Sequence, residues 1–144
     1  MKPTGKILKL FTSTSGNSKR DEHKELILDE KGIIGDKFYD KNLDRSILLT
    51  STESYQLARS NQIKINFGEL GENLLIDYNP YHLLTGTQLK IGDVILEITQ
   101  NCTICNHLSK IDKKLPKLLA HDRGIFVKVT KGGKLQLGDP IYLL

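Results

Sequence analysis

Glycine and aspartate recur between short runs of β-branched and apolar residues, and this spacing limits the folds open to the chain. The pattern is clearest where Gly92-Asp93 separates Gln88–Ile91 from Val94–Thr99, because two such runs joined by a short turn are typical of a β-hairpin. Further strands are predicted at Gly5–Thr12, His23–Leu28, Arg45–Thr50, the apolar run ending at Ile76, Gly124–Thr130, Lys134–Leu137 and Ile141–Leu144. Many short strands with few helices predict a mainly β protein, a closed or nearly closed β-barrel.

Two short helices are predicted within this β pattern. Thr50-Ser51-Thr52-Glu53 fits a capping box, so a helix is expected to run from there to about Arg59. Ile111–His121 is the second candidate, and Pro116 within it predicts either a helix start or a kink. Between the elements, Thr12–Glu22 is predicted to be an exposed loop, and Gly132-Gly133 a two-residue turn.

Length, composition and charge bound the class of protein. At 144 residues, with 38% hydrophobic and 26% charged residues, residues 1–144 are expected to form one globular domain. The chain has no apolar run long enough to span a membrane and no signal-peptide pattern at its start, so a cytoplasmic protein without a membrane partner is expected. A net charge of +4 favours anionic partners such as phosphates, whereas the lack of a long basic run and the 6% aromatic content argue against nucleic acid.

Both cysteines of the chain, Cys102 and Cys105, follow the strand predicted at Val94–Thr99. Two thiols rather than a structural disulfide are expected in a cytoplasmic protein. Thiols at this spacing suit a nucleophile, a redox pair or soft metal ligands, but they also suit two small buried hydrophobic residues. A zinc site would add His107 or His121, although these histidines lack the usual pair spacing. A thioredoxin-like pair would need a βαβ context that the pattern does not show.

Four motifs in order give the chain a resemblance to the MOSC domain family, the module at the C-terminus of molybdenum-cofactor sulfurases. The same domain occurs in amidoxime-reducing molybdoenzymes and in small stand-alone bacterial proteins. The resemblance runs from Gly32 to the C-terminus. The matching segments are Gly32-Ile33-Ile34-Gly35-Asp36 with Arg45, then Gly68-Glu69-Leu70-Gly71-Glu72-Asn73-Leu74, then Leu89–Gly92 and Leu96–Gln100 leading to cysteine, and finally Arg123-Gly124 with Gly132-Gly133 and Gly138-Asp139.

The resemblance implies a MOSC-like β-barrel with a few short helices and a functional cysteine. In the family this cysteine is thought to carry sulfur as a persulfide or to ligate molybdenum through its thiolate. Cys105 is the matching residue, because Cys105-Asn106-His107-Leu108 has the family's C-x-x-L form. The implied ligand is the molybdenum cofactor, molybdopterin, with Cys105 as the suspected molybdenum ligand.

Four further residues are candidates for binding that cofactor. Arg45 could grip a phosphate with its planar guanidinium. The backbone N–H groups around Gly71 and the side chain of Asn73 could contact a pterin or phosphate, and Arg123 is assigned to the same site. The competing interpretations are a tight turn for Gly71 and Asn73 and solvated surface charges for the two arginines.

Three functional hypotheses follow from the resemblance. In the first, the protein is a molybdoenzyme that reduces N-hydroxylated compounds, with an electron-donating reductase as partner. In the second, it is a sulfur carrier or cofactor-delivery module without turnover of its own, supplied by a sulfur-donor protein because this chain has no room for a pyridoxal-phosphate domain. In the third, it is a structural domain whose cysteines are inert.

Overall fold

A computed structural model describes residues 2–14, 20–102 and 106–144, and for residues 106 and 107 it describes the backbone alone. The strands of these residues are β1 (Gly5–Ser13), β2 (Arg20–His23), β3 (Glu25–Asp29), β4 (Gly32–Ile33), β5 (Ile47–Ser51), β6 (Leu74–Ile76), β7 (Gln88–Ile91), β8 (Val94–Asn101), β9 (Ile125–Lys131), β10 (Gly133–Gln136) and β11 (Pro140–Leu143). The helices are α1 (Thr52–Ser60), α2 (Asn106–Ile111) and α3 (Leu115–Leu118), and a 3₁₀ turn covers Leu43–Arg45.

Seven of the described strands close into a β-barrel, which confirms the predicted fold class. Around the barrel the order is β1, β6, β5, β9, β8, β7 and β11, and β11 pairs back with β1. The β5–β6 pair is parallel and the other barrel pairs are antiparallel. Helix α1 lies between β5 and β6 in the chain, as expected because parallel neighbours need a crossover connection.

Two elements lie beside the barrel. Strand β2 pairs with the second half of β1, from Leu10 to Ser13. Strands β10, β3 and β4 form a separate three-stranded sheet. Gly132 lies between β9 and β10, but these two strands do not pair, because β10 pairs with β3 instead. A Cβ on Gly132 would lie 2.5 Å from the carbonyl oxygen of Leu28. Glycine is therefore required here because two segments of the chain approach closely, and not because of a hairpin turn.

Strand alternation divides the apolar residues between two sides of the barrel wall. In β6, Leu74 and Ile76 belong to the barrel core, whereas Leu75 packs in a second cluster with residues of α1 and α3. In β9, Ile125, Val127 and Val129 also belong to the barrel core, while Phe126 packs outside it with Leu48 and Cys102. Because side chains alternate along a strand, β5 and β9 each present an apolar side chain to the outer side.

Several predicted boundaries are corrected by the structure. The strand predicted from Arg45 begins at Ile47, and Arg45 ends the 3₁₀ turn before it. The helix predicted at Ile111–His121 is shorter, because α3 starts at Leu115 with Pro116 as its second residue, where the missing N–H costs no hydrogen bond. Helix α1 is capped by Ser51 rather than Thr50. Strand β2 begins at Arg20, within the predicted loop. Within the described residues, no helix is long and apolar enough to cross a membrane.

Candidate functional site

A cleft of about 1220 Å³ lies on the outer side of the barrel wall. Four of the five residues assigned from the sequence line it: Arg45, Gly71, Asn73 and Arg123. Cys102 also lines it, while Cys105 lies outside the described residues. The cleft therefore joins segments as far apart in the chain as Phe11 and Phe126, which only the fold brings together.

The described lining of the cleft is basic and aromatic. Its cations are Arg20, Lys37, Lys41, Arg45 and Arg123, against two carboxylates, Glu22 and Glu69. All four phenylalanines of the protein line the cleft as well: Phe11, Phe38, Phe67 and Phe126. Planar apolar side chains next to guanidinium and ammonium groups suit a ligand that combines a flat ring with a negative charge.

Tight packing of the Gly68–Asn73 segment forms one wall of the cleft. Gly68 and Gly71 have φ values of 93° and 89°, which favour glycine because L-residues with a side chain rarely adopt them. The backbone N–H groups of Gly68 and Leu70 donate to the hydroxyl of Tyr55 over 2.9 and 3.2 Å. That of Gly68 also lies 3.0 Å from the Glu72 carboxylate. The turn is therefore held by buried side chains from α1 and from its own end.

Glu72 is fully buried and contributes to this wall rather than to the cleft surface. Burial raises the pKa of its carboxyl above the ordinary range, although hydrogen bonds from Tyr55 and from Gly68 oppose the shift. Burial and the neighbouring Glu72 charge in turn raise the pKa of Tyr55 far above its ordinary value. Both groups act here as hydrogen-bonding anchors of the backbone of the Gly68–Asn73 segment.

Asn73 lies at the bottom of the cleft with its amide group bonded to two strands. Its Oδ1 accepts from the backbone N–H of Leu48 over 3.0 Å, and its Nδ2 donates to the carbonyl of Phe11 over 3.1 Å. Its own backbone pairs with the same two residues. The described contacts thus assign Asn73 a part in joining β1 to β5, and they leave its predicted contact with a cofactor as a prediction.

Arg123 is almost completely buried, with 5% of its surface exposed. Its Nε and Nη2 donate to the carbonyl oxygen of Leu70 over 3.2 and 2.9 Å. No described carboxylate lies within 4 Å of it. A Cβ added to Gly71 would lie 3.4 Å from Arg123 Nη2, an ordinary contact, so the positive φ of Gly71 favours glycine here rather than a lack of space beside the guanidinium. The surface-charge interpretation of Arg123 is therefore wrong.

Arg45 lies at the rim of the cleft and is exposed. Its guanidinium carbon is 4.8 Å from the centre of the Phe126 ring, a cation–π distance. The 3₁₀ turn that carries it is capped by Asn42, whose side chain accepts from the backbone N–H of Asp44. Because one face of the guanidinium lies on the ring, its edge remains available to an anion at the rim.

Arg20 and Ser13 are among the residues of the site that were missed in the sequence. Arg20 donates from Nη1 to Ser13 Oγ over 2.5 Å and from Nη2 to the carbonyl of Glu72. Asp36 holds Ser13 in turn, because its carboxylate accepts from the Ser13 N–H over 2.9 Å. Both residues lie in Thr12–Glu22, whose polar composition predicts an exposed loop rather than a binding site. The Gly35-Asp36 motif, whose aspartate contacts Ser13, was the one related feature noted in the sequence.

Cys102 packs at the bottom of the cleft, between Leu48 and Phe126, with 5% of its surface exposed. Its backbone N–H donates to the carbonyl of Gly124 over 3.0 Å, which ties the end of β8 to the start of β9. Within the described residues, no three His, Cys, Asp or Glu side chains cluster in a way that could hold a metal ion. The zinc ligands considered from the sequence include Cys105 and His107, whose side chains lie outside that description.

Comparison with solved structures shows the same fold in several proteins. The crystal structure of the YuaD protein from Bacillus subtilis superposes with a TM-score of 0.84 at 17% sequence identity, covering 95% of this chain and 93% of that one. YiiM from Escherichia coli superposes with a TM-score of 0.72 at 19% identity, covering 100% and 70%. YiiM from Geobacillus stearothermophilus gives 0.70 at 14% identity, covering 99% and 74%.

Sequence comparison identifies the family. No curated protein matches the chain. Residues 29–142 match the family model of the MOSC domain, which spans most of the barrel and the whole Gly68–Asn73 wall of the cleft. The chain therefore belongs to the MOSC domain family, which is generally associated with molybdenum-cofactor binding and with sulfurase-like proteins.

Proposed function

We propose that this protein binds the molybdenum cofactor in the cleft and uses it to reduce N-hydroxylated compounds, with the Cys105 thiolate as molybdenum ligand. One observation carries the proposal. Arg123 is a buried cation at the cleft wall, and its only described hydrogen-bond acceptor is a neutral carbonyl. An isolated buried charge is costly unless it is paired. A ligand with an anionic group would supply the missing partner.

The lining of the cleft fits the rest of such a ligand. Phe11, Phe38, Phe67 and Phe126 provide apolar surface for a flat ring system. The volume of about 1220 Å³ is sufficient for a cofactor-sized molecule. Cys102 lies in the lining, and Cys105 follows it by three residues in the sequence. A soft thiolate is a suitable ligand for molybdenum, whereas a carboxylate is not.

The roles of the residues follow from their positions. Arg123 would hold the anionic group of the cofactor, because its guanidinium is already oriented by Leu70. Arg45 would close the rim from above the Phe126 ring, and the phenylalanines would exclude water from the bound ring. The bound cofactor would supply two-electron redox chemistry at its metal. Conversion of a hydroxylamine to an amine and water consumes two electrons and two protons, so an electron-donating reductase is the implied partner.

The experiment that tests the proposal measures molybdenum and pterin in protein purified from a molybdenum-replete host. The parent chain should contain both in similar amounts. Arg123→Met should lower the pterin content at least tenfold, because a charge-assisted hydrogen bond contributes roughly 1.5–3 kcal/mol. Lys90→Met is the matched control, since Lys90 carries the same charge, is exposed and does not line the cleft.

Two cysteine variants separate the proposal from sulfur carriage. Cys105→Ser should lose molybdenum, whereas Cys102→Ser should only weaken its retention. Molybdenum retained in Cys105→Ser, together with loss of a persulfide from that residue, would favour the sulfur-carrier hypothesis instead. Absence of molybdenum and pterin from the parent protein would contradict cofactor binding altogether.

A further inference from the structure

The backbone beside Arg123 is held at two consecutive carbonyl groups by hydroxyl side chains. The carbonyl of Asp122 accepts a hydrogen bond from the hydroxyl of Ser54. The carbonyl of Arg123 itself accepts from the hydroxyl of Thr50 over 3.0 Å. Because each carbonyl lies in the plane of its peptide unit, the two bonds fix the orientation of the backbone on the C-terminal side of Asp122 and of Arg123. They therefore set the direction in which the Arg123 side chain leaves the chain.

A chain of hydrogen bonds ends at the Asp122 carbonyl. The hydroxyl oxygen of Tyr81 accepts from the backbone N–H of Ser51 over 2.8 Å and lies 2.6 Å from Ser54 Oγ. Each hydroxyl group has one proton to donate. Since the Ser54 proton goes to the Asp122 carbonyl, the Tyr81 proton goes to Ser54 Oγ. The hydrogen bonds therefore run in one direction, from the Ser51 N–H to the Asp122 carbonyl.

The surroundings of this chain strengthen it. Ser51 and Ser54 are fully buried, and a hydrogen bond is stronger where water is excluded, as each bond polarises the next. Burial raises the pKa of Tyr81 above its ordinary value, so its phenol keeps the proton that it donates at neutral pH. Ser54 belongs to α1, whereas Tyr81 comes from the connection between β6 and β7. Two separate parts of the fold thus converge on the backbone before Arg123.

The direction of the Ser54 hydroxyl argues against a role confined to helix α1. A serine within a helix ordinarily donates to the carbonyl three or four residues earlier in the same helix. Ser60 does so, because its hydroxyl donates to the carbonyl of Leu57. Ser54 donates instead to Asp122, 68 positions away in the chain. The hydroxyl is therefore spent on the backbone beside Arg123 and not on its own helix.

We propose that Ser54 and Tyr81 are positioning residues of the cleft, which orient the Arg123 guanidinium through the carbonyl of Asp122. The inference rests on the proposed function in that Arg123 is the residue that would hold the anionic group of the ligand. The far end of the Arg123 side chain is fixed by Leu70. With the hydroxyl chain intact, both ends of the side chain are held before a ligand arrives, which is the preorganisation that a binding site requires.

The test follows the Arg123 Nε–H directly, by its rate of exchange with solvent in heteronuclear NMR of the purified full chain. Nε donates to the carbonyl of Leu70, so exchange in the parent should be slow. Ser54→Ala should speed it about tenfold or more, because one buried hydrogen bond corresponds to roughly that factor. Tyr81→Phe should speed it severalfold, since the Ser54 hydroxyl is then free to turn toward its own helix.

Three control variants separate positioning from general loss of stability. Ser60→Ala removes a hydroxyl from the same helix, and Tyr78→Phe removes an exposed phenol; both should leave the exchange rate unchanged within about twofold. Val94→Ala destabilises the barrel core without touching the hydroxyl chain. Exchange rates of Ser54→Ala and Val94→Ala that are equal, at temperatures where the two variants unfold to the same extent, would overturn the inference. Tyr81→Phe decides in the same way if circular dichroism shows that Ser54→Ala does not fold.

Pterin content gives a second measurement that a merely structural role would not produce. Ser54→Ala should lower the pterin content of the parent severalfold but should not lower it further in the Arg123→Met chain, because the guanidinium that it orients is gone. An equal further loss in the Arg123→Met background would overturn the inference.

The outcome is separable from that of the proposed function. A parent protein without pterin contradicts the cofactor, while faster Arg123 Nε–H exchange in Ser54→Ala and Tyr81→Phe still supports positioning. Pterin in the parent, together with unchanged exchange in both variants, supports the cofactor and overturns the role of Ser54 and Tyr81.

Discussion

The hydroxyl of Tyr55 lies 2.8 and 2.6 Å from the two carboxylate oxygens of Glu72, and both side chains are fully buried. The same hydroxyl accepts the N–H groups of Gly68 and Leu70. Leu70 then offers its carbonyl to Arg123, and Glu72 offers its carbonyl to Arg20. The buried Tyr55–Glu72 pair therefore supports the wall on which both arginines are anchored.

Replacement of Tyr55 by Phe should destabilise the protein by about 2–4 kcal/mol, because the Leu70 N–H and one Glu72 oxygen lose a buried partner. The thermal midpoint should fall by about 5–15 °C for a chain of this size. Tyr78→Phe is the matched control, since among the described residues the Tyr78 hydroxyl makes only an exposed contact with His82, and it should change stability by less than about 0.5 kcal/mol. Equal midpoints for the two variants would show that the buried hydroxyl is not a structural anchor.

Glu72 should make stability fall as the pH rises. Because burial raises its pKa in the folded protein above the ordinary value of 4.5, the folded state binds more protons than the unfolded state between the two values. The stabilising contribution is complete below pH 4.5 and is lost as the pH rises through the folded pKa. Glu72→Gln removes this titration, so its urea-unfolding free energy should depend less on pH above 4.5 than that of the parent. Parallel pH profiles for the two proteins would exclude a raised pKa.

Asn73 is expected to contribute mainly to stability. Asn73→Ala would leave the Leu48 N–H and the Phe11 carbonyl without their described side-chain partner, at a cost of about 2–5 kcal/mol. Asn66→Ala is the control, because Asn66 also lines the cleft but is exposed, and its described side-chain hydrogen bond goes to the side chain of Glu69. If folded Asn73→Ala has the midpoint of the control and yet loses pterin, Asn73 is a cofactor ligand rather than a bridge between strands.

A strong chelator should leave the thermal transition of the purified protein nearly unchanged. The barrel core is built from apolar side chains, so folding does not require the free energy that a structural zinc site would supply. The midpoint should be compared with and without the chelator, in parallel with a measurement of bound metals. A midpoint lowered by ten degrees or so, with release of zinc, would instead support the zinc alternative for Cys102 and Cys105.

Local sequence determined the elements whose residues interact with near neighbours. Gly92-Asp93 joins β7 and β8 in the predicted hairpin, because the turn and the alternating apolar residues act over a few positions. Helix α1 also forms where a capping pattern predicts it. The observed N-cap is Ser51 and not the predicted Thr50. The Thr50 hydroxyl instead donates to the carbonyl of Arg123, 73 positions away in the chain. Family motifs then identified the barrel and the Gly68–Asn73 wall.

Tertiary structure alone decided which charged residues meet in the cleft. Strand β10 pairs with β3 rather than β9, and Arg20 reaches the carbonyl of Glu72, 52 positions away. Neither contact can be predicted from the residues near it in the sequence. Any arginine can donate to any free carbonyl, and only closure of the barrel brings the two partners together. The sequence by itself therefore determined the strands, the turns and the family, whereas the packing of β1, β5, β6 and β9 decided that Arg20 and Arg123 share one wall.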